Sequence, residues 1–128
     1  MNVNSQLILY KEKKMIYELR TYYIKPGKLE DIHNRFSKLT IDLFKRHGIN
    51  TLDFWEDAEG KNIIYYILEH KDMESREQNF NSFKNDSEWI EGKRLSELNG
   101  PIVEKIESVF MKRVPYSPVN ASIMNQLD

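Results

Sequence analysis

The stretch Met15-Ile16-Tyr17-Glu18-Leu19-Arg20-Thr21-Tyr22-Tyr23-Ile24-Lys25-Pro26-Gly27 decides how the chain is read. β-Branched and aromatic residues crowd residues 16–25, and Pro26-Gly27 then supplies the two residue types that stop such a run in a turn. A strand is the expectation. Side chains alternate along a strand, so Tyr17, Leu19, Thr21 and Tyr23 share one face, while Ile16, Glu18, Arg20, Tyr22 and Ile24 share the other.

Working outward, Leu29, Ile32, Phe36, Leu39 and Leu43 recur at steps of three and four, which predicts one amphipathic helix over residues 28–46. Gly48 is its expected C-cap, with Lys45, Arg46 and His47 opposing the negative end of the helix dipole. Residues 51–56 and 62–70 are β-rich runs joined by the polar stretch Asp57-Ala58-Glu59-Gly60-Lys61, the pattern of a hairpin. Ile63-Ile64-Tyr65-Tyr66-Ile67-Leu68 is apolar on both faces, so that strand belongs inside a sheet covered on both sides. Residues 73–85 carry Phe80 and Phe83 on a polar helical frame, and Asp86-Ser87-Glu88 restarts a helix through Trp89, Ile90, Leu95 and Leu98. After Asn99-Gly100-Pro101, residues 102–114 alternate as a last strand.

The order β-α-β-β, broken helix, β gives an α+β fold: a four-stranded antiparallel sheet with helices on one face. The other face is then a sheet-sized apolar patch, larger than monomers normally expose, and a homodimer through that open face is the economical remedy. Glu18, Arg20 and Tyr22 are expected on the open side, because opposite the Leu29, Ile32 and Phe36 stripe two charges would sit without water. Leu68 is expected on the open side too.

Composition narrows the function classes. The 128 residues fit one domain, and 40% hydrophobic with 30% charged residues suffices for one core and a wet surface. Nineteen basic against 20 acidic residues are interleaved to a net charge of −1, which leaves no field to hold nucleic acid or an acidic membrane. No cysteine is present, so disulfides, thiolate metal sites and a cysteine nucleophile are excluded. No apolar run approaches the roughly 20 residues that span a bilayer, and a cytoplasmic location without membrane insertion is expected. Phosphate-cradling and serine-hydrolase motifs are absent, and three scattered histidines without ligand spacing make a metal site unexpected, as is any cofactor.

The opening stretch, with Lys25-Pro26-Gly27-Lys28 after it, resembles the start of NIPSNAP-family domains. Arg46-His47-Gly48, Phe54-Trp55, the apolar strand at 63–68, Arg76 and Asp86-Ser87-Glu88-Trp89 follow in the family's order, and the resemblance covers residues 16–114. Two positions depart from it. Ser87 stands where such domains often have proline and is expected to act as an N-cap, and Tyr66 stands where many members have histidine. The resemblance implies a ferredoxin-like βαββαβ domain whose sheet closes face to face with a second copy into a dimeric α/β barrel around interior pockets. It also implies a domain over residues 15–114, a flexible extension over 1–14 and a tail over 115–128. Its small members have no settled activity, and a fold alone confers none.

The candidate pocket residues are Glu18, Arg20, Tyr22, Trp55, Tyr66 and His70. A carboxylate and guanidinium on one strand face can orient a polar ligand, or merely satisfy each other within an interface. Tyr66 and His70 share one parity of their strand and offer a donor and a base, although a histidine at a strand end beside Lys71-Asp72 is more often at the surface. Trp55 offers a pocket wall or interface packing. The readings that follow are a homodimer binding a small, partly apolar molecule, a cofactor-independent monooxygenase or isomerase acting on an aromatic or quinone-like substrate, and a scaffold without a ligand.

Overall fold

The first strand, β1 (Ile16–Ile24), stops at a turn in which Lys28 N–H bonds the Lys25 carbonyl at 3.1 Å. Gly27 takes φ +76° there, a value side chains with a Cβ avoid. The computed structural model describes residues 6–7 and 14–119, so the expected extension over 1–14 and tail over 115–128 lie largely outside the described residues.

The predicted first helix is a continuous helical run with a wider turn inside it: α1 (Leu29–Arg35), a π-helical segment (Phe36–Thr40) and α2 (Ile41–Arg46). Thr40 Oγ1 donates to the carbonyl of Arg35, five residues back, at 3.2 Å. Steps of three and four cannot reveal such a turn, which often marks a functional site. Beyond α2, Gly48 adopts φ +76° and its N–H bonds Lys45, as the predicted cap requires.

β2 (Asn50–Glu56) and β3 (Ile63–His70) form the expected hairpin. α3 (Met73–Lys84) and α4 (Ser87–Ser96) follow, then β4 (Val103–Met111). Asp86, not Ser87, is the N-cap of α4: its carboxylate accepts from Glu88 N–H at 2.8 Å, and Ser87 becomes the first helical residue. The sheet is antiparallel throughout in the order β2-β3-β1-β4. The helices lie on one face, as expected.

Which strand face they cover differs from the expectation. Tyr22 and Ile24 of β1 and Ile64, Tyr66 and Leu68 of β3 are buried together with Ile32, Phe36 and Phe44 of the helical run. Glu18 and Arg20, on the same parity, therefore point toward the helix layer, not toward the open face. The physical reason is that their charges are met there, as the next subsection describes. Leu68, expected on the open face, is fully buried in the core. The face turned away from the helices carries Leu19, Thr21, Tyr65 and Ile67, with Trp55 and Val109 about half exposed. The chain after β4 folds back over one corner of it, setting the Arg113 guanidinium 4.7 Å above the Tyr17 ring.

Candidate functional site

β1 pairs with β3 so that Arg20 lies opposite Tyr66 and Glu18 opposite Leu68, while on its other side Arg20 lies opposite Ser108 of β4. That register gathers five of the six sequence candidates. Glu18 is completely buried and is the hub. It accepts from Arg20 at 2.8 Å, Ser108 Oγ at 2.7 Å, Arg76 Nε at 3.1 Å and Nη2 at 2.9 Å, and it meets His70 Nε2 at 2.9 Å. Burial alone would raise the carboxyl, but the hydrogen bonds from His70, Arg76, Ser108 and Arg20 overcome it and hold Glu18 well below the usual carboxylate range. Since Glu18 is ionised, His70 Nε2 is the donor in that bond. His70 is 3% exposed, so it is not the surface histidine its strand-end position suggests.

Arg20 carries the network inward. Its Nε donates to the Tyr66 hydroxyl at 2.6 Å, its Nη2 reaches the Tyr22 hydroxyl at 3.5 Å, and its guanidinium lies 5.0 Å from the Phe80 ring centre. Burial would lower the guanidinium, but Tyr66, Tyr22 and Glu18 more than offset that, and Arg20 stays charged. Burial, with Tyr22 beside it, pushes the Tyr66 phenol well above its ordinary 10.0 against the pull of Arg20. Tyr66 is therefore neutral and has a proton to place. It is fully buried, and with its oxygen accepting from Arg20, the one polar atom it can donate to among the described residues is the Tyr22 oxygen at 3.0 Å. The direction of the chain follows: Arg20 to Tyr66 to Tyr22. Among the described residues nothing accepts the proton of Tyr22.

Tyr22 and Arg20 form part of the inner wall of a cavity of about 760 Å³ between the sheet and the helix layer. Phe36, Phe44, Phe80, Phe83 and Trp89 supply its aromatic sides, and Thr40 of the π-helical segment opens onto it. Arg35 borders it with its guanidinium 5.6 Å from the Trp89 ring centre and bonded to Ser96 at 3.3 Å and Glu97 at 3.0 Å. Volume and lining suit a small organic molecule.

Trp55 stands apart. It lies opposite Tyr65 on the face turned from the helices, is 46% exposed, and does not border this cavity. Glu18, Tyr66 and His70 support the cavity wall from behind and do not line it. Sequence reasoning gave no role to Arg76, Ser108 or Arg35. Arg76 had a signal, since it precedes Phe80 and Phe83 by four and seven residues and so shares their inward helix face. Ser108 and Arg35 had none, because their partners are distant in the chain. Among the described residues no group of three or more potential metal-binding side chains occurs, and no helix is long and apolar enough to cross a membrane.

A four-stranded antiparallel sheet in this order, with helices on one face, defines a ferredoxin-like α+β domain. The sequence pattern of the NIPSNAP family matches residues 17–118, and the chain belongs to that family. A NIPSNAP family protein with unknown function from Agrobacterium tumefaciens superposes with a TM-score of 0.72 at 21% identity, covering 83% of this chain and 94% of that one. An uncharacterized NIPSNAP-like domain protein from Burkholderia xenovorans gives 0.71 at 19% identity, covering 83% and 90%. A putative antibiotic biosynthesis monooxygenase from Bordetella bronchiseptica shares the fold at 0.58 and 13% identity, covering 79% and 98%. No curated protein matches the sequence.

Proposed function

We propose that the protein binds a small, partly apolar molecule bearing an acceptor oxygen, in the cavity between its sheet and its helices, and that it works as a homodimer joined through the open sheet face. The observation that carries the binding reading is the Tyr22 hydroxyl. Its oxygen is engaged by Tyr66 and Arg20, its proton is uncommitted among the described residues, and Tyr22 lines an aromatic-walled cavity. A carbonyl or carboxyl oxygen entering there completes the chain of donors, and the apolar body of the ligand covers the rings.

The enzymatic alternative, a cofactor-independent monooxygenase or isomerase, would use the same phenol as a proton donor. It also needs a base beside the substrate. His70 is tied to Glu18 and lies behind the wall, and of the two carboxylates that border the cavity Glu97 is paired with Arg35 and Glu104 is exposed to solvent, so simple binding is better supported. A scaffold without a ligand leaves the uncommitted phenol and the cavity without a use.

Tyr22→Phe tests the binding reading. Aromatic ketones found by thermal-shift screening should bind the variant about three- to tenfold more weakly, the worth of one hydrogen bond, and the melting temperature of the free protein should fall by several degrees because Tyr66 loses the oxygen it donates to. Ketone affinity equal in both proteins would remove Tyr22 as the recognition group.

A further inference from the structure

The charges around this cavity do not cancel. Five cationic residues border it, Arg20, Arg35, Lys84, Lys93 and Lys105, against two acidic ones, Glu97 and Glu104, and the Lys105 ammonium lies over the Tyr23 ring on the face turned from the helices. Three of the cations are committed: Arg20 to Glu18, Arg35 to Glu97 and Lys105 to Glu107. The Lys84 and Lys93 ammonium groups have no ion-pair or hydrogen-bond partner among the described residues, and neither has the Glu104 carboxylate. The two lysines belong to different helices, Lys84 closing α3 and Lys93 in the last turn of α4. Both are exposed, while Tyr22 is buried.

Lysine in the last turn of a helix also answers the helix dipole, and that alone would account for one such residue on each helix. It does not account for their both bordering one cavity that Tyr22, with its uncommitted phenol proton, also lines. A dipole end carries about half a charge, so much of each ammonium is left for a ligand.

Resting on the binding reading above, we propose that the cavity's ligand is an amphipathic organic anion: an acceptor oxygen on Tyr22, an aromatic or aliphatic body along the Phe80, Phe83 and Trp89 rings, and a carboxylate or similar anionic group at the mouth, held by Lys84 and Lys93. Glu104, from β4, gives the anion a side to avoid, which sets the ligand's orientation toward the helices.

Two fluorescent probes that differ by one anionic group test this: 8-anilinonaphthalene-1-sulfonate and its neutral parent N-phenyl-1-naphthylamine, titrated into the full chain and into the double variant Lys84→Gln with Lys93→Gln. Both lysines are exposed, so the variant keeps its fold, and its unchanged melting temperature verifies that. The expected result is one probe per chain, at least tenfold tighter binding of the sulfonate by the unsubstituted protein, and loss of that preference in the variant with the neutral probe's affinity retained. Raising the salt concentration should erase the same preference. Equal affinity for both probes, or a preference indifferent to the lysine changes, would overturn the anion site while leaving the cavity reading in place. Binding of neither probe would overturn the anion site, and the ketone titration of Tyr22→Phe decides the cavity reading separately.

Discussion

Glu18 is a buried carboxylate surrounded by three potential cations, Arg20, Arg76 and His70, with Ser108 closing the ring. Such a cluster adds little to stability as a whole, because desolvation cancels much of the attraction, but removing one member leaves charges buried and unmatched. Glu18→Gln should therefore destabilise the protein by about 3–5 kcal/mol in a denaturant titration. The pH dependence has a definite sign. The folded carboxyl lies below its ordinary 4.5, so the stability due to Glu18 is fully present above that value and drains away as the pH falls below it toward the depressed folded value. Acid titration should show this loss in the unsubstituted protein and a flatter profile in Glu18→Gln. A variant as acid-sensitive as its parent would place the responsible carboxyl elsewhere. The cluster also determines what the cavity wall can do, since Arg20 is held on one side by Glu18 and so presents Nε to Tyr66.

Among the helices, α4 is the one the core holds least. It contributes no buried residue, whereas α3 buries Phe80 and Phe83. Its attachments include the Trp89 ring against Phe83, 4.5 Å between centres, the Arg46 ion pair with Glu88 at 3.1 Å, the Arg35 bonds to Ser96 and to the adjoining Glu97, and the approach of Gly92 to Leu39, which leaves no room for an added Cβ. It nevertheless supplies Trp89, Ile90 and Lys93 to the cavity, and Glu97 directly follows it there. An element with few buried contacts opens at lower free energy than the core. Amide hydrogen exchange should thus be faster across Ser87–Ser96 than across Met73–Lys84, and a bound ligand should slow the former. Equal protection of the two helices, with no response to ligand, would argue that molecules do not enter past α4.

At the scale of the molecule, the sheet separates two kinds of chemistry: a polar cluster and cavity under the helices, and an apolar face on the far side. Neighbouring residues of β3 distinguish them. Ile67→Lys places an ammonium on the open face, and in sedimentation it should convert the proposed homodimer to a folded monomer. Leu68→Lys places the same group in the core, where Leu68 is fully buried, and should unfold the chain. An Ile67→Lys protein that sediments as its parent does would exclude the open face as the dimer contact.

The elements, their order and the set of side chains that travel together were legible in the chain, because each depends on short-range periodicity. Alternation alone put Glu18 with Arg20 and Tyr22, and Tyr66 with His70. Alternation is silent about which of the two faces receives the helices when both are apolar, as in 63–68. An isolated charge beneath a helix is costly, so local reasoning turned Glu18 and Arg20 outward. The tertiary structure reverses that because α3 brings Arg76 and β4 brings Ser108 to the same carboxylate, contacts 58 and 90 residues apart in sequence. The cost of burying a charge depends on its partners, and for Glu18 those partners meet it only once α3 and β4 have packed onto β1.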